Sequence, residues 1–284
     1  MNRISIISPS ANPYFNLAAE EYFIRNLDTA ETDFFFSYVN EPCLVLGKNQ
    51  HAYNEVHWSI IQNRQLKIAR RISGGGTVYH DQGNLNFCFI SSLSRNKINH
   101  YTHSTGLIAE ALVAMGIPCS MNERNAIVLE NGNKITGSAQ FTSRTSILSH
   151  GTILYNADLV ALQKGLAFNS AKIVTKSSPS VRSQVENLSE NYSNIIPDLK
   201  ALENQLHVNL DYSMEFKWEE DVLHAIEKLQ KEKYETPEWI MDKAANGTIQ
   251  WGDLLYKIEE GFVEINGEKK RFAEIIESMN QGLL

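Results

Sequence analysis

The sequence has few cysteines, and their spacing excludes the sites that paired cysteines usually build. Only three occur in 284 residues, at Cys43, Cys88 and Cys119. No Cys-x-x-Cys pair is present, so neither a disulfide framework nor a zinc site is predicted. The first residues become polar too early for a secretory signal peptide. Reduced cysteines and the lack of a signal peptide together favour a cytoplasmic location.

Long apolar runs and an excess of positive charge are also missing. No run of 18 apolar residues occurs, which argues against a membrane-spanning helix. The formal net charge is −7, so general binding to nucleic acid is not expected, although a local basic pocket is compatible with it. Apolar residues make up 43% and charged residues 21%. These are ordinary values for a globular chain, and this length can bury a substantial core.

One stretch, residues 70–81, combines two arginines with three consecutive glycines: Arg-Arg-Ile-Ser-Gly-Gly-Gly-Thr-Val-Tyr-His-Asp. Glycine lets the backbone take positive φ and lie against a ligand. Backbone N–H groups of such a loop and the planar guanidinium groups of arginine can both donate hydrogen bonds to a phosphate or carboxylate. The stretch is neither a Walker loop nor a Gly-x-Gly-x-x-Gly fingerprint. The alternative interpretation is a glycine-rich turn with two surface arginines.

Hydrophobic periodicity predicts alternating strands and helices along the chain. Residues 34–39 and 43–47 are expected to pair as a hairpin around the turn at 40–42. The other predicted strands cover 3–8, 85–91, 124–129, 134–140 and 146–155. The predicted helices cover 14–27, 54–68 (ending in a strand), 100–115, 193–206 and 218–233. Asn12 is expected to cap the first of them, with Pro13 at its first helical position. Residues 177–189, which include Arg182, are expected to form a loop that could cover a site.

A single lysine stands out beside a tight turn. Lys134 directly follows Asn131-Gly132-Asn133 and is expected to begin a strand of small residues, Gly137-Ser138-Ala139. A lysine on a surface hairpin is usually only a solvated charge, but small neighbours allow a ligand to approach closely. His150 lies in a similar glycine-containing stretch, where a structural histidine is the simpler interpretation. Glu20 and Glu21 lie within the first predicted helix, and a solvated position is preferred for Glu21.

Six motifs, taken in order, resemble the lipoate–protein ligase A family over roughly residues 5–240. They are Asn12–Glu21, Arg70–Gly76, Tyr79–Asn84, Lys134–Ala139, His150–Leu154 and Ser180–Ser183. The resemblance implies the biotin/lipoate ligase-like α/β fold of the α+β type, a mixed and largely antiparallel sheet with packed helices. It divides the chain into a catalytic domain at 1–240 and a short C-terminal segment at 241–284, a reduced or truncated accessory domain.

The activity implied by the resemblance has two steps. Lipoate and ATP, the latter with Mg²⁺, give lipoyl-AMP and pyrophosphate. The lipoyl group then passes to the ε-amine of a lysine on a carrier. The implied carriers are the lipoyl domains of 2-oxoacid dehydrogenase complexes and the glycine-cleavage carrier protein. Nucleic acid and membrane are not implied as partners, and no residue is implied as a metal ligand.

The resemblance also implies roles for individual residues. Lys134 would be catalytic and would touch both substrates. The residues implied to bind ATP are Arg71, Gly76, Thr77, Val78, Tyr79 and Lys134. The residues implied to bind lipoate are Arg70, Ser73, Gly74, Gly75, His80, Lys134, Gly137, Ser138, His150 and Gly151.

Two departures from the family pattern suggest weakened activation. Ala126 follows Asn125, where the family commonly has aspartate, and fewer residues follow Trp239 than the usual accessory domain contains. We therefore expect transfer from lipoyl-AMP to be more efficient than the complete ATP-dependent reaction. One alternative is an octanoyl or lipoyl transferase with a cysteine nucleophile after the lysine, but all three cysteines here precede Lys134. The other alternative is a non-activating lipoate- or lipoyl-AMP-binding protein.

Overall fold

The structure, a computed structural model, describes residues 2–63, 66–93, 101–166, 173–176, 180, 183–251 and 254–280. The chain forms two compact units whose segments alternate along the sequence. The first unit comprises residues 1–43, 80–159 and 182–230. The second unit comprises residues 44–79, 160–181 and 231–284. Arg182 lies outside the described residues, and the division of the chain at residue 240 stays a prediction.

Strands and helices alternate through most of the described chain. The strands are β1 (Asn2–Ile7), β2 (Thr32–Val39), β3 (Cys43–Leu46), β4 (Lys67–Arg70), β5 (Val78–His80), β6 (Asn84–Ser92), β7 (Cys119–Met121), β8 (Ile127–Leu129), β9 (Thr136–Thr142), β10 (Ser146–Leu154), β11 (Ile173–Thr175), β12 (Met214–Glu215), β13 (Gly247–Trp251), β14 (Leu254–Glu259), β15 (Phe262–Ile265) and β16 (Glu268–Arg271). The α-helices are α1 (Pro13–Asn26), α2 (Ala52–Glu55), α3 (Trp58–Asn63), α4 (Tyr101–Ala114), α5 (Leu159–Gly165), α6 (Ser189–Tyr192), α7 (Leu199–Asn209), α8 (Glu220–Leu229) and α9 (Phe272–Asn280). Two π-helical turns cover Gln230–Tyr234 and Glu238–Asp242. No helix among the described residues is both long enough and apolar enough to cross a bilayer.

The first unit is organised by a six-stranded sheet in the order β12-β1-β2-β6-β10-β9. The strands from β12 to β2 are parallel, and those from β2 to β9 are antiparallel. One face carries an apolar cluster that includes Phe35, Leu85 and Phe87. That cluster also contains Leu112 of α4 and Leu202 of α7. Burial of these side chains holds the helices on that face, so the opposite face can carry other chemistry.

The second unit contains two smaller sheets. Strands β4, β3 and β5 form one sheet with β3 in the centre, and the arginine–glycine stretch connects β4 to β5. Its core includes Leu44, Leu46 and Tyr79. The other sheet has the order β11-β13-β14-β15-β16. Helix α9 packs on it through Ile276, beside Ile258. The predicted fold class, a mixed and largely antiparallel sheet with packed helices, is confirmed.

Three local predictions were wrong. Strands β2 and β3 do not form a hairpin, because β2 pairs with β1 and β6 whereas β3 lies between β4 and β5. Both strands are largely buried, so non-local partners outweigh the turn between them. The helix predicted at 54–68 is instead two short helices, α2 and α3, followed by β4. Glu21 is buried rather than solvated, and its Oε1 lies 2.8 Å from Nη2 of Arg25.

The start of α1 follows the sequence signals closely. The Asn12 side chain accepts a hydrogen bond from the Tyr14 N–H at 3.1 Å. Pro13 occupies the first turn, where its missing N–H costs nothing. These two residues fix where α1 begins and therefore which of its residues face the sheet.

A buried histidine joins α7 to the parallel part of the sheet. His207 Nδ1 lies 2.7 Å from Ser5 Oγ, and Nε2 lies 2.8 Å from Ser37 Oγ. The Ser37 hydroxyl donates to Glu203 Oε1 at 2.6 Å, so it accepts from Nε2–H, and Nδ1 accepts from Ser5. Burial, partly opposed by Glu203, lowers the pKa of His207 to about 4. The ring is therefore neutral in the folded protein at neutral pH.

This arrangement predicts acid sensitivity. The unfolded state takes up a proton near pH 6.5 and the folded state only near pH 4, so the stability from this group is present above pH 6.5 and falls through that window. At pH 4.5 the expected loss is on the order of 2–3 kcal/mol. His207→Gln should reduce the difference in the free energy of unfolding between pH 7 and pH 4.5, measured by urea denaturation. An unchanged difference would contradict the prediction.

Candidate functional site

Arg71 holds the glycine loop in shape. Its Nη2 donates to the carbonyl oxygens of Gly74 and Gly76 at 2.7 and 2.8 Å. Its Nε donates to Ser73 Oγ at 3.0 Å. Arg71 and Ser73 are both buried. The side chain thus braces both ends of the glycine run, which a lysine with its single charged group could not do.

Two glycines in this region meet requirements that only glycine satisfies easily. Gly75 has φ of 93°, which is strained for any residue with a Cβ. A Cβ on Gly47 would lie 2.1 Å from the Gly75 carbonyl oxygen. By contrast, a Cβ on Gly74 would meet nothing within 4 Å. The loop is therefore packed on the Gly47 side and open at Gly74.

Arg70 has a different role from its neighbour. Its guanidinium is 0% exposed. It donates only to backbone carbonyl groups, those of Gly47, Lys48 and Gln50 on one segment and of Trp239 and Ile240 on another. Burial, with a further contribution from Arg71, lowers its pKa to about 9. These contacts indicate that Arg70 is structural, and its predicted contact with lipoate stays a prediction.

A polar cluster beside the loop was not anticipated from the sequence. Thr77 N–H donates to Ser180 Oγ at 2.9 Å, and the Ser180 hydroxyl makes a short contact with Glu55 Oε2. Gln50 Oε1 accepts from the Thr77 hydroxyl at 2.9 Å and from the Gly47 N–H at 2.9 Å. Burial raises the pKa of Glu55, which these hydrogen bonds partly offset. The cluster fixes Thr77, whereas Tyr79 lies in the core of the unit and Val78 is half-buried.

In the first unit, Lys134 lies just before β9 rather than inside it. Its backbone bridges Val128 on one side and Val185 on the other. The side chain is half-buried, and its ammonium makes no ion pair or hydrogen bond with the residues that the structure describes. Burial, together with the charge of Arg124, lowers its pKa. An ammonium in this setting can receive a bound anion, because no carboxylate already occupies it.

Sheet register places several predicted residues on one face. Thr152 lies opposite Asn86 and Gly137, and His150 lies opposite Cys88 and Ala139. Directly opposed residues of an antiparallel pair share a face. A Cβ on Gly137 would lie 3.8 Å from Thr152 Oγ1 and 3.9 Å from Lys134 Nζ. Lys134, Gly137 and His150 are therefore brought together on the face opposite the apolar cluster, a face on which α1 also packs through Glu20.

His150 is anchored by a buried carboxylate. Its Nδ1–H donates to Glu20 at 2.7 and 2.9 Å, and the Tyr38 hydroxyl donates to Glu20 Oε1 at 3.0 Å. Burial and then Glu20 raise the pKa of the Cys88 thiol well above its ordinary value. The sequence predicted for Glu20 only a position within the first helix. The signal that could have identified it is its place on the sheet side of α1, next to the aromatic strand.

Two predicted residues lie on the opposite face. Gly151 and Ser138 are opposed in the ladder between β10 and β9. A Cβ on Gly151 would lie 2.5 Å from the Gly137 carbonyl oxygen and 2.6 Å from the Phe87 ring. The Ser138 hydroxyl donates to the Asn125 carbonyl at 3.2 Å. Both residues shape the strand on which Lys134 and Gly137 lie, and their contact with lipoate stays a prediction.

His80 belongs to a separate polar chain in the first unit. Asn16 Nδ2 donates to Asn40 Oδ1 at 2.8 Å, so Asn40 Nδ2 donates to His80 Nδ1 at 2.9 Å. The proton of the neutral ring is then on Nε2. The contact of His80 with lipoate stays a prediction.

Comparison with known proteins identifies related chains. The family model described as the lipoyl protein ligase A/B catalytic domain matches residues 12–205. Lipoate–protein ligase 1 of Staphylococcus aureus is 36% identical over 269 residues, covering 92% of this chain and 78% of that protein.

Solved structures show the same fold. A lipoate–protein ligase A bound with ATP has a TM-score of 0.71 and 24% identity, covering 85% of this chain and 99% of that chain. A bipartite lipoate protein ligase of Thermoplasma acidophilum, from a study that also includes its E2 lipoyl domain, has a TM-score of 0.67 and 23% identity. The alignment covers 84% of this chain and 96% of the Thermoplasma acidophilum chain.

The contacts of Arg70 generate a stability prediction. Arg70→Ala would remove this donor from five carbonyl groups, three of them in buried contacts, which should lower the free energy of unfolding by about 3–5 kcal/mol. Arg144→Ala, at an exposed arginine, should change it by less than about 0.5 kcal/mol. Chemical denaturation measures both. If Arg70→Ala kept its stability and lost only lipoate affinity, the structural role would be refuted.

Proposed function

The chain belongs to the lipoyl protein ligase A/B catalytic-domain family and is an ATP-dependent lipoate–protein ligase, and we propose how its residues divide the reaction. In the first step, a lipoate carboxylate oxygen attacks the α-phosphorus of ATP and pyrophosphate leaves. In the second step, a carrier lysine amine attacks the acyl carbon of lipoyl-AMP and AMP leaves. The observation that carries the proposal is the partial burial of the Lys134 ammonium, which has no carboxylate partner in the described part of the chain.

Lys134 lowers the repulsion between two anions in the first step. The attacking carboxylate and the α-phosphate are both negative, so a cation between them stabilises the transition state. The nearby charge of Arg124 adds to the positive potential there. In the second step the same ammonium stabilises the charge that develops on the acyl oxygen and on the leaving AMP.

The glycine loop is proposed to bind ATP. Arg71 fixes the carbonyl groups of Gly74 and Gly76, which orients the loop amides, and Gly74 leaves room for a ligand. Mg²⁺ enters as the counter-ion of the triphosphate. The described residues contain no group of three or more side chains suited to hold a metal, so phosphate and water oxygens would be its main ligands.

The apolar tail of lipoate is proposed to lie along the face that carries Gly137 and His150. Glu20 holds His150 through Nδ1, so the ring keeps one orientation when a ligand binds. Small residues at 137 and 139 let the ligand approach the strand closely. The contacts of Ser73, Gly75 and His80 with lipoate stay predictions from the family resemblance.

A thioester route is not favoured by the three cysteines. Burial raises the pKa of Cys88 well above its ordinary value and that of Cys119 to about 11. Cys43 is buried. A nucleophilic cysteine needs a lowered pKa and access to substrate. Direct transfer from lipoyl-AMP to an amine therefore fits better than an acyl-enzyme.

The proposed acceptors are lipoyl domains of 2-oxoacid dehydrogenase complexes and the glycine-cleavage carrier protein, in the cytoplasm. Lipoylation of an apo lipoyl domain should be measured in two parallel reactions, one with ATP and lipoate and one with preformed lipoyl-AMP. Product in both supports the proposal. Product only from lipoyl-AMP would support the non-activating alternative, and product in neither would refute ligase activity on this acceptor.

Lys134→Ala is expected to abolish both reactions, because the variant loses the cation that serves both steps. A loss of at least ~1,000-fold would correspond to about 4 kcal/mol of transition-state stabilisation. The matched control is Lys257→Ala, at an exposed lysine, which should keep its activity. Circular dichroism checks folding. Normal turnover by a folded Lys134→Ala variant would remove Lys134 from the mechanism.

Gly75→Val is expected to weaken ATP binding at least ~10-fold, or about 1.4 kcal/mol. The reason is that φ of 93° strains a branched residue and the loop amides then shift. Gly267→Val is the control, since Gly267 has φ of 83° in a turn with nothing within 4 Å of a Cβ. Calorimetry measures the ATP affinity of each variant and so separates an effect on the proposed ATP-binding loop from the general strain of valine at positive φ. Equal ATP affinity in both variants would count against the phosphate-binding loop.

A further inference from the structure

The turn that precedes Lys134 is clamped by a buried carboxylate. Asn131 Nδ2 and Asn133 Nδ2 donate to Glu186 Oε2 at 2.7 and 2.6 Å, and Asn191 Nδ2 donates to Oε1 at 2.6 Å. Glu186 is 6% exposed. We propose that Glu186 is a positioning residue for Lys134 in both steps of the reaction, an inference that rests on the role proposed for Lys134.

The clamp reaches Lys134 through the backbone. Glu186 N–H donates to the Lys134 carbonyl at 3.2 Å, and Lys134 N–H donates to the Gln184 carbonyl at 2.9 Å. The same residue therefore contacts the turn with its side chain and the lysine with its main chain. Any rotation of the turn is transmitted to the Lys134 Cα and then to its ammonium. Shifts of about 1 Å in such a group can cost ~100-fold in rate.

A carboxylate suits this position better than a neutral side chain. Its two oxygens accept from three amide groups at once, and hydrogen bonds to a charged acceptor are roughly twice as strong as neutral ones. The asparagine amides hold the pKa of Glu186 below its ordinary range. The clamp thus stays charged throughout the neutral range, where the reaction must run.

Glu186 acts by geometry rather than by charge. Its carboxylate and the Lys134 ammonium make no ion pair, although both residues are described. The positive potential at Lys134 is therefore left for the substrates. A carboxylate that paired with the lysine would instead compete with the bound anions. The asparagines at 131 and 133 keep Glu186 turned toward the turn.

The test compares three variants. Glu186→Leu removes every acceptor and should lower kcat for lipoylation of an apo lipoyl domain by 10- to 100-fold from either ATP plus lipoate or lipoyl-AMP. Glu186→Gln retains one oxygen that can accept from both Asn131 and Asn133, so it should stay within about threefold of wild type. Glu130→Gln, at an exposed glutamate of the same turn, controls for the loss of one negative charge and should be unchanged.

A second measurement does not depend on activity. Competitive labelling of amines across pH, followed residue by residue by mass spectrometry, gives the titration midpoint of Lys134. In Glu186→Leu the midpoint should rise toward that of an ordinary lysine, because the loosened turn lets water reach the ammonium. If Glu186→Leu does not fold, the double variant Asn131→Ala/Asn133→Ala removes the two hydrogen bonds between Glu186 and the turn and keeps the one from Asn191.

The outcomes separate the two proposals. Unchanged kcat and an unchanged Lys134 midpoint in a folded clamp variant would overturn the role of Glu186. Equal losses in Glu186→Leu and Glu186→Gln with an unchanged Lys134 midpoint would also overturn it, because the loss would then follow the negative charge of Glu186 and not the position of Lys134. If wild type shows no lipoylation but the midpoint shifts in Glu186→Leu, the proposed function fails while the clamp itself is supported.

Discussion

A half-buried ammonium, with no counter-ion among the described residues, is the constraint around which the proposed site is arranged. Partial burial of Lys134 disfavours its charged form, and the nearby Arg124 adds to that cost. A protein keeps such a group only where the surrounding structure holds it in place. Here the backbone bridges to Val128 and Val185 and the Glu186 clamp on the preceding turn provide that hold. The ammonium is left available to an anionic substrate, which is what an adenylating ligase requires.

The two adjacent arginines show how neighbours in sequence can take different roles. Arg70 donates to carbonyl groups near residues 47–50 and 239–240, so it joins segments of the second unit that are far apart in the chain. Arg71 donates to the loop that follows it. Both are guanidinium groups on the same strand end, yet strand alternation sends them to different surroundings. One stabilises the unit, and the other shapes a candidate phosphate site.

The six-stranded sheet divides the residues of each strand between its two faces. Phe35, Leu85 and Phe87 bury their rings and methyl groups under the helices. The residues between them in β6, including Asn86 and Cys88, point the other way, toward the face of His150 and Thr152. A strand slip by one residue would exchange these faces. The positions of Gly151 and Ser138 show the same rule, since each lies next in sequence to a residue on the face of His150 and Thr152.

The sequence by itself predicted the fold class through the family resemblance, predicted the start of α1 at Asn12-Pro13, and singled out the arginine–glycine loop and Lys134 as candidate site features. These are local signals of capping, of glycine conformation and of motif order, and they need no knowledge of distant partners. Only the tertiary structure decided that β2 and β3 belong to different sheets, that Arg70 is enclosed by carbonyl groups, and that Glu20 and Glu186 are buried supports. Each of these depends on contacts between residues 18 to 170 positions apart in the chain. The sequence alone does not show whether a carboxylate or a guanidinium is surrounded by water or by a buried partner. Only the packing in the tertiary structure could distinguish these two environments.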